Sequence, residues 1–127
     1  MNRHLIHEEL THEILSAAVE VHRRLGPGLL ESTYRSCLVR QLNTIGVDVA
    51  QEVPIPIVYD GYELDAAYRA DLIADGRVLV ELKAAERLLP IHVAQTLTYL
   101  KLSGLRVAML LNFNVTRMSL GVRRFVR

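Results

Sequence analysis

Arg69-Ala-Asp-Leu-Ile-Ala-Asp-Gly-Arg-Val-Leu-Val-Glu-Leu-Lys83 is the stretch on which the fold turns. Two apolar segments, Ala70 to Ala74 and Val78 to Leu82, meet across Asp75-Gly76. Each carries one acid, Asp71 or Glu81, where a buried strand wants a hydrophobe. Val, Ile and Leu favour strands, and Asp-Gly is the commonest short hairpin signal. The pattern predicts a hairpin that carries a site, with Lys83 two residues beyond Glu81.

The turn decides which face those side chains share. A two-residue type I′ loop at Asp75-Gly76 pairs Ala74 with Arg77 and sends Asp71 and Glu81 to opposite faces. A three-residue loop, Ala74-Asp75-Gly76 with Gly76 left-handed in a bulge, pairs Ile73 with Arg77 and sets Asp71 opposite Leu79. Asp71, Glu81 and Lys83 then lie on one face, the two acids being diagonal neighbours roughly 7–8 Å apart at the backbone. Clustered carboxylates without a cation repel and raise each other's pKa. A functional site therefore requires the bulged turn.

Outward from the hairpin, Leu10, Ile14, Ala17, Ala18, Val21 and Leu25 recur at a helical period behind a Thr11 N-cap. Gly26-Pro27-Gly28 ends that helix. A second helix runs from Leu29 to about Ile45, with Leu30, Tyr34, Cys37, Leu38, Leu42 and Ile45 on its buried stripe. Glu31 stands in its first turn, where the free N–H groups and helix dipole favour a carboxylate.

Val47 to Ile57 alternates as a strand whose Pro54 and Pro56 lack donors, which places it at a sheet edge or leaves its open side uncovered there. Asp60-Gly61 turns the chain into Tyr62 to Leu64, and the two hairpins together make a three-stranded antiparallel meander. Pro90 opens a third helix to about Leu102, closed by Gly104. Gln95 and Tyr99, four apart, share a face of it. Arg106 to Asn112 is a buried strand reached by this helical crossover, so it runs parallel to the Val78 arm and the sheet is mixed. Ser119 to Val126 forms a last strand.

Asp71-(x)9-Glu81-x-Lys83 on a hairpin resembles the signature of the PD-(D/E)XK nuclease superfamily, and Gly28-Leu-Leu-Glu31-Ser-Thr-Tyr34 resembles the motif of its GxxExxY family. Ala70 stands where the superfamily has proline, a position that supplies no ligand. The resemblance implies an α/β, restriction-endonuclease-like three-layer core, a mixed β-sheet flanked by helices in the order α-α-β-β-β-α-β-β. It also implies metal-dependent hydrolysis of phosphodiester bonds in nucleic acid, with DNA the first choice. Asp71, Glu81 and Glu31 become ligands for Mg²⁺ or Mn²⁺, hard cations that take oxygen donors, and the Leu82 carbonyl is a further candidate. Lys83 becomes the residue that positions the attacking water or neutralises the phosphorane. Gln95, Tyr99 and Tyr34 become substrate-side residues, Tyr34 also positioning Glu31. A catalytically silent nucleic-acid-binding or regulatory module of the same fold is the alternative. A scaffold acting as a homodimer through its C-terminal strand edge is the third.

Composition bounds these readings. A chain of 127 residues, half of them hydrophobic, suits one domain with a complete core. Its apolar runs are too short to cross a bilayer and Met1 to Leu10 lacks a signal-peptide core, so a cytoplasmic protein without a membrane partner is expected. Cys37 is alone and reads as packing. His4, His7, His12 and His22 are too irregularly spaced for a zinc site. The net charge of +1 hides an asymmetry: 14 acids and 8 bases through Glu86, then 7 bases and no acid. That distribution is a recognised hint of a polyanion-binding surface. With 7 Phe and Tyr and no Trp, an extensive base-stacking platform is not expected.

Overall fold

A computed structural model describes residues 6–64 and 68–127; His4 therefore lies outside the described residues. In chain order the elements are α1 (Glu8–Leu25), α2 (Glu31–Thr44), β1 (Val49–Pro54), β2 (Ile57–Tyr59), β3 (Tyr62–Leu64), β4 (Arg69–Ala74), β5 (Val78–Lys83), α3 (Pro90–Ser103), β6 (Val107–Asn112), a 3-10 turn (Met118–Gly121) and β7 (Val122–Val126). Five strands form one sheet in the order β1-β4-β5-β6-β7, while β2 and β3 form a separate two-stranded ribbon.

The sheet is mixed, as expected. β5 and β6 run parallel, from Val78 beside Val107 to Lys83 beside Asn112, and α3 is the crossover between them. β1 pairs with β4, β4 with β5, and β6 with β7, all antiparallel. Side chains on β5 and β6 alternate between two apolar layers. Val78, Val80, Leu82, Val107, Met109 and Leu111 pack with α1 and α2. Leu79 and Ala108 pack with Tyr99 and Leu100 of α3. Both faces of the central strands are thus covered, which is why β6 is buried along its whole length. Each fully buried Leu or Val contributes about 1.5–3 kcal/mol relative to exposure, so this α/β, three-layer arrangement rests mainly on β5 and β6.

Several boundaries differ from the sequence reading. Thr11 is not the N-cap of α1: the helix starts at Glu8, and the Thr11 hydroxyl donates back to the Glu8 carbonyl at 3.0 Å. That is an alternative use of a short hydroxyl side chain within a helix turn. The long strand Val47 to Ile57 is broken at Ile55-Pro56: the Ile55 N–H still donates to the Tyr68 carbonyl at 2.9 Å, one step beyond Pro54 opposite Arg69, and Pro56 has no N–H to carry the ladder on. β1 therefore pairs directly with β4 and occupies the sheet edge its prolines called for, whereas β2 and β3 stand apart, with Tyr59 and Tyr62 exposed. The three-stranded meander is β1-β4-β5, with the ribbon inserted between its first two members. The last strand is shorter than expected because Met118–Gly121 forms the 3-10 turn. No helix among the described residues is long and apolar enough to cross a membrane.

Candidate active site

The central hairpin combines features of both turns considered. Asp75 and Gly76 adopt φ of 49° and 65°, and the Arg77 N–H donates to the Ala74 carbonyl at 2.9 Å. Two left-handed residues inside that bond make a type I′ turn. Arg77 is then an extra residue, because the ladder resumes with Ala74 opposite Val78, Ile73 opposite Leu79 and Leu72 opposite Val80. The expected pairings of Ile73 with Arg77 and Asp71 with Leu79 are corrected by this register. Continued one residue further, it sets Asp71 directly opposite Glu81 rather than diagonal to it. The turn is anchored from outside the hairpin: Asp75 N–H donates to the Asp48 carbonyl at 2.7 Å, and the Asp48 N–H donates to Asp75 Oδ1 at 2.8 Å.

Beyond Leu72 and Val80, side chains take over the ladder. Asp71 Oδ2 accepts the Leu82 N–H at 2.8 Å, and Glu81 Oε1 stands 3.4 Å from the Asp71 nitrogen. Each carboxylate therefore leans on the other's strand. Glu81 is only 4 % exposed. Burial, then the charge of Asp71, pushes its carboxyl up to about 9, with Lys83 pulling weakly the other way. At neutral pH the pair holds a proton that neither acid would hold alone in water.

Glu31 faces this pair from the first turn of α2. Its carboxyl is raised mainly by partial burial and by Asp71, and lowered by Lys83, Arg35 and His92. Two of those neighbours are not among the site residues expected from the sequence. Arg35, one turn along α2, places Nη1 3.9 Å from Asp71 Oδ1 and 3.4 Å from Glu52 Oε1; the four-residue spacing from Glu31 was the available signal. The ring of His92, in the first turn of α3, comes close enough to act on Glu31, while Nδ1 accepts the Leu89 N–H at 3.0 Å.

On α3, Gln95 Nε2 donates to the Tyr99 hydroxyl at 3.0 Å, so the expected pair exists. Burial raises the Tyr99 hydroxyl against the lowering effect of the Gln95 hydrogen bond, and Glu81, Tyr68 and Asp71 add to the rise, so this helix face is near the acids. Tyr34 is elsewhere. It is fully buried, its ring stacks on Phe113 at 4.7 Å, and its hydroxyl donates to the Gly26 carbonyl at 2.5 Å and accepts the Leu29 N–H at 3.1 Å. Substrate contact by Tyr34 is thus corrected: the residue clasps the loop that leads into Glu31 and has no open face to offer.

Asn112 holds the far end of β5 and carried no sequence signal. Buried beside Lys83 in the parallel ladder, it accepts the Ala85 N–H at 3.1 Å and donates to the Ala85 carbonyl at 2.9 Å. The Phe113 N–H donates to the Lys83 carbonyl at 2.9 Å. These bonds fix the chain as it leaves the site.

Asp71, Glu81 and Glu31 offer only hard oxygen donors, and the excess negative charge of the first two lies where a cation would relieve it, a set that fits Mg²⁺ or Mn²⁺. Among the described residues no three His, Cys, Asp or Glu side chains are gathered tightly enough to hold an ion as they stand.

No curated protein and no solved structure matches the chain. A family profile does match, over residues 8–125, and its span runs from the first turn of α1 into β7, so it covers every element that builds the site. The chain belongs to the PD-(D/E)XK nuclease superfamily.

Proposed function

We propose that this protein is a Mg²⁺- or Mn²⁺-dependent nuclease of the GxxExxY group that hydrolyses phosphodiester bonds in DNA. The observation that carries the reading is the facing pair Asp71 and Glu81, whose burial and mutual repulsion leave a negative site short of positive charge. Superfamily membership supplies nucleic acid as the substrate class. DNA within that class follows the resemblance to GxxExxY proteins.

In this reading Asp71, Glu81 and Glu31 hold the ion. When bound, such an ion polarises a phosphoryl oxygen, acidifies water and stabilises the charge that grows in the transition state. Lys83, on the same face of β5 as Glu81, orients the attacking water and offsets charge on the phosphorane. Gln95 and Tyr99 line the α3 side and direct hydrogen bonds to the substrate backbone or to Lys83. Tyr34 contributes by holding the entry to α2, and hence Glu31.

The test is calorimetric titration of Mn²⁺ into the wild type and Asp71→Asn, with cleavage of labelled DNA followed in the presence and absence of metal. Saturable binding lost in the variant, with metal-dependent cleavage lost alongside it, is the expected result. DNA binding with no cleavage at any metal concentration would replace the nuclease by the silent binding module. Absence of saturable Mn²⁺ binding to the wild type would remove the metal site.

A further inference from the structure

We infer that Arg35 is a phosphate-binding residue of this site, held at its lip by Glu52 until a phosphodiester arrives. The inference deepens the nuclease reading and rests on it for the identity of the anion.

Three observations lead there. Arg35 Nη1 lies 3.9 Å from Asp71 Oδ1 and 3.4 Å from Glu52 Oε1, and its side chain is 26 % exposed. Strong guanidinium–carboxylate bonds are shorter, about 2.7–2.9 Å, and commonly two-pronged. The guanidinium is thus placed between two acids by long contacts, the shorter of them to Glu52, and is still open to solvent.

The second observation is Glu52 itself. It lies between the pairs Gln51–Leu72 and Val53–Ala70, across the ladder from Asp71, and has φ of 48° in the middle of an edge strand. A left-handed residue with a long side chain is unfavourable, and such strain concentrates where function over-determines the backbone. Here the strained residue is the one whose carboxylate meets Arg35.

The third is the balance of charge at the carboxylates. Asp71 and Glu81 face each other there, with Glu31 near enough to be acted on by Asp71, and a phosphodiester brings one more negative charge. Lys83 supplies a cation from β5 and Arg35 one from α2. A planar guanidinium can grip two oxygens of a phosphate, which an ammonium cannot. A divalent ion held by Asp71 would cancel the weak attraction that Asp71 exerts on Arg35. The guanidinium then has Glu52 on one side and the incoming phosphate on the other.

The test uses the full chain and a short labelled DNA duplex in Ca²⁺, a cation chosen to support binding without turnover, with affinity measured across a series of salt concentrations. Arg35→Met is expected to weaken binding about tenfold and to reduce the slope of log affinity against log salt by about one, the signature of one lost phosphate contact. Its affinity for Mn²⁺ should be equal to or tighter than that of the wild type, because a cation next to Asp71 has been removed. Arg35→Lys should keep the salt slope and lose part of the affinity, and it also covers the case in which Arg35→Met melts too low to be used. An unchanged slope and affinity in Arg35→Met, or wild-type affinity with a reduced slope in Arg35→Lys, would overturn the assignment. If the wild type binds DNA but never cleaves it, the nuclease reading fails while the salt slopes still decide Arg35.

Discussion

Asp71 accepts the Leu82 N–H through Oδ2 at 2.8 Å, so a residue proposed to bind a cation is also a hydrogen bond of the hairpin. Truncation and charge removal must therefore differ. Asp71→Ala leaves a buried amide without a partner and should cost about 1–3 kcal/mol of stability. Asp71→Asn keeps an acceptor oxygen and should stay within about 1 kcal/mol of the wild type while losing metal binding. Urea unfolding of both variants beside Mn²⁺ titration separates the structural from the chemical effect.

Glu81 makes the fold sensitive to pH in the opposite direction to an ion-paired acid. Its folded pKa is raised, by burial first and by Asp71 second, so the folded state retains a proton that the unfolded state releases. Its contribution is present below the unfolded carboxylate pKa and is lost as pH rises towards the folded value. Unfolding free energy in the absence of metal should fall from pH 5 to pH 8. Glu81→Gln should flatten that slope and be more stable than the wild type at pH 8 by roughly 1–3 kcal/mol. Divalent ions should reverse the trend, because binding displaces the proton and so tightens with pH. Denaturant melts at several pH values, with and without Mn²⁺, read both arms; a flat wild-type profile would contradict the buried proton.

The βαβ unit, the proline-bearing edge strand, the extent of α3 and the Gln95–Tyr99 pair were legible because each follows from local pattern or a connection rule. The hairpin register was not. It depends on an extra residue at Arg77 and on Asp48, 27 residues before Asp75, gripping the turn. No window around Asp75-Gly76 contains that information. Arg35, His92 and Asn112 were missed for a related reason, since their importance arises from where α2, α3 and β6 end in space. Tyr34 misled by sitting three residues from Glu31: on a helix that spacing suggests a common face, but the glycine loop before α2 folds back onto its hydroxyl.

Tyr34 offers a direct test of clasp against substrate contact. Tyr34→Phe keeps the ring stacked on Phe113 and removes the bonds to the Gly26 carbonyl and the Leu29 N–H. A loss of about 0.5–1.5 kcal/mol is expected, with nucleic-acid affinity under saturating Ca²⁺ changed less than twofold. Tyr34→Ala also empties a fully buried site and should cost about 3–5 kcal/mol. Thermal melts and binding isotherms on the same preparations check both. A large drop in affinity for Tyr34→Phe at unchanged stability would return the hydroxyl to the substrate.

Asn112 tests whether the exit from β5 matters to Lys83. Its side chain binds both the N–H and the carbonyl of Ala85, and its backbone stands so close to Gly121 that a Cβ there would lie 2.0 Å from the Asn112 oxygen. The residue is thus held from the 3-10 turn side while it holds the segment after Lys83. Asn112→Ala should cost about 1–3 kcal/mol by leaving the Ala85 groups unpaired, and amide exchange at Ala85 should quicken more than at Leu79 near the start of β5. Because Asp71 and Glu81 are also held by the bonds between β4 and β5, Mn²⁺ affinity should change less than kcat, and cleavage should fall as Lys83 loses its fixed backbone. Equal losses in metal affinity and kcat would mean instead that the whole end of β5 had moved, and that the carboxylates and the lysine share one support.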